Sequence, residues 1–288
     1  MKTKQSCSQS LNKQIVKRFC KNKAAVLGLL FMIVLIGMAI FANQLFDYNA
    51  TVIKVNIQNR LQAPSLQHWM GTDDYGRDIF ARIVHGARTS LTIGFAAVAI
   101  SLAAGGLIGL FSAYYGGIVD DILMRATDIL MAIPMTLSCI ILVATLGSSI
   151  TNLIIALAIA SIPSFARIVR SAVLIVRDEE YIVSARALGV TDKRIILRHV
   201  LPNCTGPILV QITLRIASTI YNTSALSFLG LGIAQPAPEW GGMLSAGRNY
   251  IRDYSYISVI PGLMIMVTIL ALNLLGDGIR DALDPRLK

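Results

Sequence analysis

Along this chain the polar and apolar positions separate into blocks instead of alternating. Five runs carry no Asp, Glu, Lys or Arg: residues 24–46, 89–119, 129–166, 216–238 and 254–276. A helix half-buried in a soluble domain would return a polar residue on every turn. Crossing about 30 Å of hydrocarbon at about 1.5 Å per residue takes about 20 apolar residues, and each run reaches that length. The third is long enough for two passes, and "LGSSITN" (Leu146–Asn152) interrupts it with turn formers. The pattern predicts an all-α integral membrane fold with six transmembrane helices, at roughly 24–43, 89–112, 122–146, 150–170, 206–229 and 255–276.

Composition supports the same picture. The chain of 288 residues is 55% hydrophobic and 15% charged, with a mean hydropathy of +0.64, whereas soluble domains are about a quarter charged. Net charge is +10, which raises nucleic acid as a partner, but the distribution favours topology. With the N-terminus inside and each span reversing the chain, seventeen of the 26 Lys and Arg residues fall on the cytoplasmic side: in residues 1–23, between Arg167 and Arg198, and after Gly276. The external side holds Lys54, Arg60, Arg77, Arg82, Arg88, Arg248 and Arg252, and Arg125 and Arg215 fall inside spans. That bias places both termini in the cytoplasm, and basic residues beside anionic membrane lipid account for the charge without nucleic acid. A cleaved secretion signal is the alternative for the first span, but its apolar stretch exceeds the usual 7–15 residues and five spans follow. The four cysteines lie far apart with no CxxC pair, so reduced thiols are expected.

The chain thus divides into a basic cytoplasmic N-terminus (1–23), a first span with an external segment (24–88), a membrane core (89–276) and a cytoplasmic tail (277–288). One polar insert interrupts the core: "DEEYIVSARALGVTDKRIILRHVLPN", residues 178–203. Tyr181–Leu188 has good helix formers, and Gly189 suits the left-handed residue that ends a helix. Thr191 or Asp192 can cap a second helix, Lys193–Val200, and Pro202 marks a boundary before the fifth span. The expected result is a hairpin of two short helices with Ile182, Ala185 and Leu188 along one side. Helices this short are marginal in water and need a surface. A solvated loop that is basic only for topology is one reading. A docking element is the other, favoured by the small residues Ser184, Ala185, Ala187 and Gly189, which allow close approach of a partner.

These residues resemble the EAA loop of ABC-importer permeases, written as EAA, three residues, Gly, nine residues and I-x-L-P. Aligned on Gly189, the chain places Val183-Ser184-Ala185 at the EAA positions and His199-Val200-Leu201-Pro202 at the end. Val183 departs from Glu and His199 from Ile, which puts one charged contact in doubt; Glu180 stands nearby as a substitute. The resemblance implies the type I importer fold, with a coupling helix seated in a groove of a cytoplasmic ATPase subunit. Closure of the ATPase dimer on ATP would then pull the membrane helices from inward-open to outward-open. It assigns ATPase coupling to Tyr181, Ser184, Ala185, Arg186, Gly189, Asp192, His199, Leu201 and Pro202.

Three further stretches resemble the C-type subunit of the dipeptide, oligopeptide and nickel branch: "GTDDYGRDIFARIVHGARTSL" (Gly71–Leu91), "LSFLGLGIAQPAPEWGGML" (Leu226–Leu244) and the tail "GDGIRDALDPRLK". In the first, Thr72 or Asp73 can cap a helix from Asp78 to Ala87 with Ile79, Phe80, Ile83 and Val84 on one face. Such a helix is expected to lie along the outer membrane surface, with Arg77, Arg82 and Arg88 reaching water or headgroups. Its role is either structural or, through Asp73, Arg77 and Asp78, docking of an external binding protein. In the second, Pro236 and Pro238 stop the fifth span, Trp240 suits the headgroup level, and Glu239 lies beside it. That turn is either gate and docking surface or simple anchor.

Arg125 and Asp128, three apart, can neutralise each other on one helix face. Arg215 is costly in hydrocarbon; it either lines a translocation path or holds an interfacial position. The histidines at 68, 85 and 199 do not suggest a metal site. No G-x-x-x-x-G-K-[ST] loop occurs, so ATP and Mg are expected on partner ATPase subunits and no cofactor on this chain. The family implies as partners a B-type permease paralogue forming a heterodimer, two cytoplasmic ATPase subunits and an extracytoplasmic solute-binding protein, in a prokaryotic inner membrane. The reading is a permease half for dipeptides or oligopeptides. Nickel or a metal chelate is the rival cargo, and an ion-driven secondary transporter or channel is the rival class.

Overall fold

The computed structural model describes residues 13–283; most of the basic N-terminal segment and the last five residues of the tail lie outside them. The described chain is helical almost throughout. Its main elements are α1 (Lys23–Ile40), α2 (Ile79–Tyr115), α3 (Gly117–Ala132), α4 (Met135–Leu146), α5 (Ile150–Arg177), α6 (Glu180–Ala187), α7 (Leu201–Phe228), α8 (Trp240–Gly247) and α9 (Tyr256–Leu283).

Helices α1, α2, α5 and α9 are each long and apolar enough to cross a membrane. The expected span at 122–146 is broken. Between α3 and α4 the chain bends by 82°, because Pro134 has no N–H to donate and forces the residue before it out of the helical region; Ile133 has φ −95° and ψ 127°. The span expected at 206–229 is α7, long enough to cross but more polar than the other four. Gln211, Arg215, Ser218 and Asn222, spaced at four, three and four residues, lower its hydropathy and are only partly buried.

The centre of the bundle is the parallel pair α2 and α5, whose contacts advance together from Gly105 against Ile162 to Ala113 against Arg177. They approach at Gly105 and Gly109, where an added Cβ would collide with the carbonyl oxygens of Ile162 and Ala166. This is the small-xxx-small contact that membrane helices use when burial from water no longer drives association. Helix α7 packs on α2, α5 and α9, and α1 closes the bundle against α9 and α2. Ile79, Ile83 and Trp240 fill the core at the end carrying residues 41–78 and 229–255, here the loop end, and the same core continues into the bundle through Ile220 and Phe165. A second core of Val173, Val176, Ile182, Ile195 and Val200 lies at the opposite, hairpin end.

The helix expected at 78–87 is not a separate surface element. It is the first part of α2, which runs unbroken to Tyr115 and starts at Asp78, whose carboxylate accepts from the Ala81 N–H at 2.8 Å. Asp78 is the cap, in place of Thr72 or Asp73. With no proline or glycine turn near residue 88, nothing ends the helix there.

Candidate functional site

At the hairpin end, α5 passes into α6 through only Asp178 and Glu179. Helix α6 stops as its sequence requires. The Gly189 N–H bonds to the Arg186 carbonyl at 3.0 Å and the Val190 N–H to the Ala185 carbonyl at 3.1 Å, with Gly189 at φ +76°. This is a Schellman closure, in which a left-handed residue turns two late amides back onto the final helical turn. The second limb differs from expectation. Thr191 holds the N-cap position without a side-chain bond, and Asp192 turns its carboxylate to the Tyr114 hydroxyl at 2.6 Å. Nor does the limb end at Pro202: Asp192–Ile195, a wider turn over Ile196–Val200, and α7 follow without interruption. A proline displaces the carbonyl four residues before it, and a wide turn is where a helix absorbs such a defect. The limb and α7 form one continuous helical stretch, with a contour on the order of 55 Å at 1.5 Å per residue.

Two isoleucines fasten the hairpin. Ile182 and Ile195 are fully buried among Val173, Val176 and Val200, and each contributes about 1.5–3 kcal/mol by burial. Leu188 does not join them. The left-handed turn swings it outward, and it is 83% exposed at the tip. Tyr181, Val183, Ser184, Arg186, Ala187, Asp192 and Pro202 are exposed as well, so a face of small residues around one leucine is free. Asn203, unremarked in the sequence, ties the limbs by donating to the His199 carbonyl at 2.6 Å and the Tyr181 hydroxyl at 3.1 Å, and the Tyr181 and His199 rings lie 6.4 Å apart. Burial pushes the Tyr181 hydroxyl above its usual range, with Glu179 adding to the effect.

The loop end is built the opposite way. Arg77 and Arg82 do not reach headgroups; both are buried. Asp73 takes the Arg77 Nε at 2.7 Å and the Arg82 Nε at 3.6 Å, while Arg82 donates to the carbonyls of Val52 at 2.8 Å and Pro236 at 3.3 Å. Arg88 alone of the three is exposed. Asp78 pairs with His68 at 2.8 Å. Trp240 is not at a headgroup surface: it is 0% exposed and donates from its indole to the Ile83 carbonyl at 3.0 Å. Glu239 caps α8 by accepting from the Gly241 and Gly242 N–H groups at 2.8 Å each, and burial lifts its carboxyl above the ordinary range. Pro238 is buried and Pro236 exposed. Asp73, Arg77, Pro238, Glu239 and Trp240 are thus folded against their own chain, while Asp78 is partly exposed and Pro236 exposed.

Within the bundle, Asp128 pairs across to Arg167 of α5 at 2.6 Å, not to Arg125 on its own helix, because the bend at Pro134 lays α3 against α5. Arg215 is partly buried on α7 with no ion-pair partner among the described residues.

Comparisons with known proteins agree with this architecture. Residues 105–288 match the family described as binding-protein-dependent transport system inner membrane component, and residues 10–64 match the N-terminal TM domain of oligopeptide transport permease C. The chain is 47% identical to the dipeptide transport system permease protein DppC of Alkalihalophilus pseudofirmus, over 96% of this chain and 90% of that one. It is also 47% identical to the glutathione transport system permease protein GsiD of Escherichia coli, over 94% and 89%. An inward-facing structure of the MetNI methionine ABC transporter superposes with a TM-score of 0.59 at 17% identity, covering 70% of this chain and 97% of that one. A crystal structure of an amino acid ABC transporter with histidines gives 0.52 at 18% identity, covering 66% and 89%; at these identities the likeness concerns the fold. A multi-pass bundle, a hairpin riding directly on two of its helices, and near-half identity along almost the whole length lead to one assignment: the chain belongs to the binding-protein-dependent transport system inner membrane components, as a permease subunit of an ABC importer.

Proposed function

We propose that this subunit forms half of a path for dipeptides or oligopeptides across a prokaryotic plasma (inner) membrane, and that residues 178–203 are the handle by which partner ATPase subunits move it. The observation that carries the reading is mechanical: the hairpin's second limb runs into α7 with no non-helical residue between them, so displacement of the hairpin is passed directly to a membrane helix. The exposed Leu188, framed by Ser184, Ala185, Ala187 and Gly189, suits insertion into a groove on the ATPase.

In this reading both termini are cytoplasmic, ATP and Mg bind the two ATPase subunits, this chain hydrolyses nothing, and a B-type paralogue supplies the other half of the path. The partly exposed row of Gln211, Arg215, Ser218 and Asn222 on α7 faces that path, because such groups facing lipid would be costly. Peptide cargo is favoured by the relatives named for dipeptide and glutathione transport. The buried network at the loop end shapes a rigid platform, and the exposed residues around Pro236 meet the extracytoplasmic binding protein.

Uptake of labelled dipeptide, glutathione and nickel by cells lacking and regaining the gene tests the cargo. Restoration of dipeptide uptake is expected, and restoration of nickel uptake alone overturns the peptide reading. A Thr191→Cys variant is expected to react with an impermeant thiol reagent from the cytoplasmic side only; reaction from outside overturns the orientation.

A further inference from the structure

Beside the hairpin, the end of α2 carries an unusual cluster of ties. Ser112, Ala113 and Tyr114 are 0, 0 and 5% exposed, while Phe111 and Tyr115 on either side are 41 and 54% exposed. Consecutive helical residues point about 100° apart, so three buried in a row require neighbours on more than one side, where a surface helix buries a single stripe. Each of the three holds a different neighbour. The Ser112 hydroxyl donates to Asp120 of α3. Asp120 also takes a two-pronged bond from Arg170 of α5, at 2.7 Å through Nε and 2.6 Å through Nη2. Ala113 lies in the last turn of α2, where carbonyls have no partner in the helix, and its carbonyl accepts from Arg177 Nη1 of α5 at 2.6 Å. The Tyr114 hydroxyl donates to Asp192 Oδ1 at 2.6 Å, and the Arg186 guanidinium of α6 stands 5.4 Å above the Tyr114 ring.

We propose that residues 112–114 are a junction that passes the hairpin's displacement to α2, α3 and α5 together, with Tyr114 as the positioning residue that links α2 to Asp192. The inference deepens the coupling role proposed above and rests on it. Covalent continuity carries motion from the hairpin into α5 and α7, but α2 and α3 are reached only across non-covalent contacts. Apolar surfaces such as Tyr114 against Ile182 and Ile195 can slide past one another. A short bond to a carboxylate is directional and resists that slip.

Tyr114→Phe keeps the ring and removes one hydroxyl, and is best read in the assembled transporter reconstituted with ATPase subunits and binding protein. Co-purification of the ATPase and its hydrolysis rate are expected to be unchanged, while dipeptide uptake per ATP hydrolysed falls about ten-fold, the worth of a charge-assisted bond. Asp192→Asn, which keeps an acceptor oxygen but removes the charge, loses less uptake than Asp192→Ala; Asp192→Ala loses as much as Tyr114→Phe, and the double variant is no worse than either. Equal loss of hydrolysis and uptake in Tyr114→Phe, unchanged uptake, or additive losses in the double variant overturn the junction. A separate control isolates the underlying reading: if Leu188→Asp binds ATPase subunits as wild type does, the hairpin is not the handle and the junction falls with it. If Leu188→Asp loses them while Tyr114→Phe transports normally, only the junction is wrong.

Discussion

The two ends of this bundle solve opposite problems with similar residue types. At the loop end, charged and aromatic groups are turned inward: Asp73 lies between two arginines, Glu239 caps α8, and Trp240 bonds to α2. The buried charged groups there find their partners in the same chain. At the hairpin end, Leu188 and the small residues Ser184, Ala187 and Gly189 face outward and are exposed. The contrast teaches that a conspicuous motif can mark either self-sufficiency or need, and that the burial of its side chains distinguishes the two. The loop-end motif spends its charges within the chain; the hairpin motif leaves its side chains exposed.

The largest effect that would sharpen this contrast is expected from Asp73→Ala. It leaves two buried guanidiniums without their carboxylate, and breaking a buried pair costs about 3–5 kcal/mol. Folded yield in detergent should collapse; a normal yield and unfolding temperature would show that the loop end does not support itself. Gly189→Glu comes next. Forcing a side chain into φ +76° costs about 1–2 kcal/mol, so the protein should still insert while uptake is lost. No atom lies near an added Cβ at Gly189, so the loss comes from the turn's conformation and the partner's approach, not from packing within the chain. Normal uptake and ATPase co-purification would refute the role of the hairpin.

Leu188→Asp should leave the unfolding temperature unchanged, as exposed substitutions do, while co-purification with ATPase subunits is lost. A drop in unfolding temperature would mean that the tip is part of the fold. The smallest effect concerns Glu239. Burial raises its carboxyl above the ordinary 4.5, so the folded protein holds this proton more tightly than the unfolded chain. Stability from this group is then greatest below about pH 4.5 and declines as pH rises toward the folded value. Glu239→Gln should flatten the dependence of unfolding temperature on pH over that range. An identical profile in both proteins would show that the site is not as dry as its packing indicates.

Helix content, the places of most spans and the hairpin's turn at Gly189 were legible because each follows from local chemistry: uncharged length against membrane thickness, and a glycine where the backbone must turn left-handed. The break at Pro134 was legible in principle, since a proline inside an apolar run signals a bend. The Gly105–Gly109 contact had its own signal in the small-xxx-small spacing. Other features had none. Arg125, three residues before Asp128, is no less plausible a partner than Arg167, thirty-nine residues after it, until the bend of α3 brings Arg167 to 2.6 Å. Arg77 and Arg82 read as headgroup ligands because a sequence does not say that Asp73 will be folded between them.

By itself, then, the sequence determined that the chain crosses a membrane, where it turns, and that a polar hairpin leaves the bilayer, because these depend on residues close together in the chain. Only the tertiary structure decided which charges are spent internally, that the hairpin's second limb runs into α7 without a break, and that residues 112–114 meet three different elements. Those outcomes depend on distances between residues far apart in the chain, which packing sets and local pattern does not.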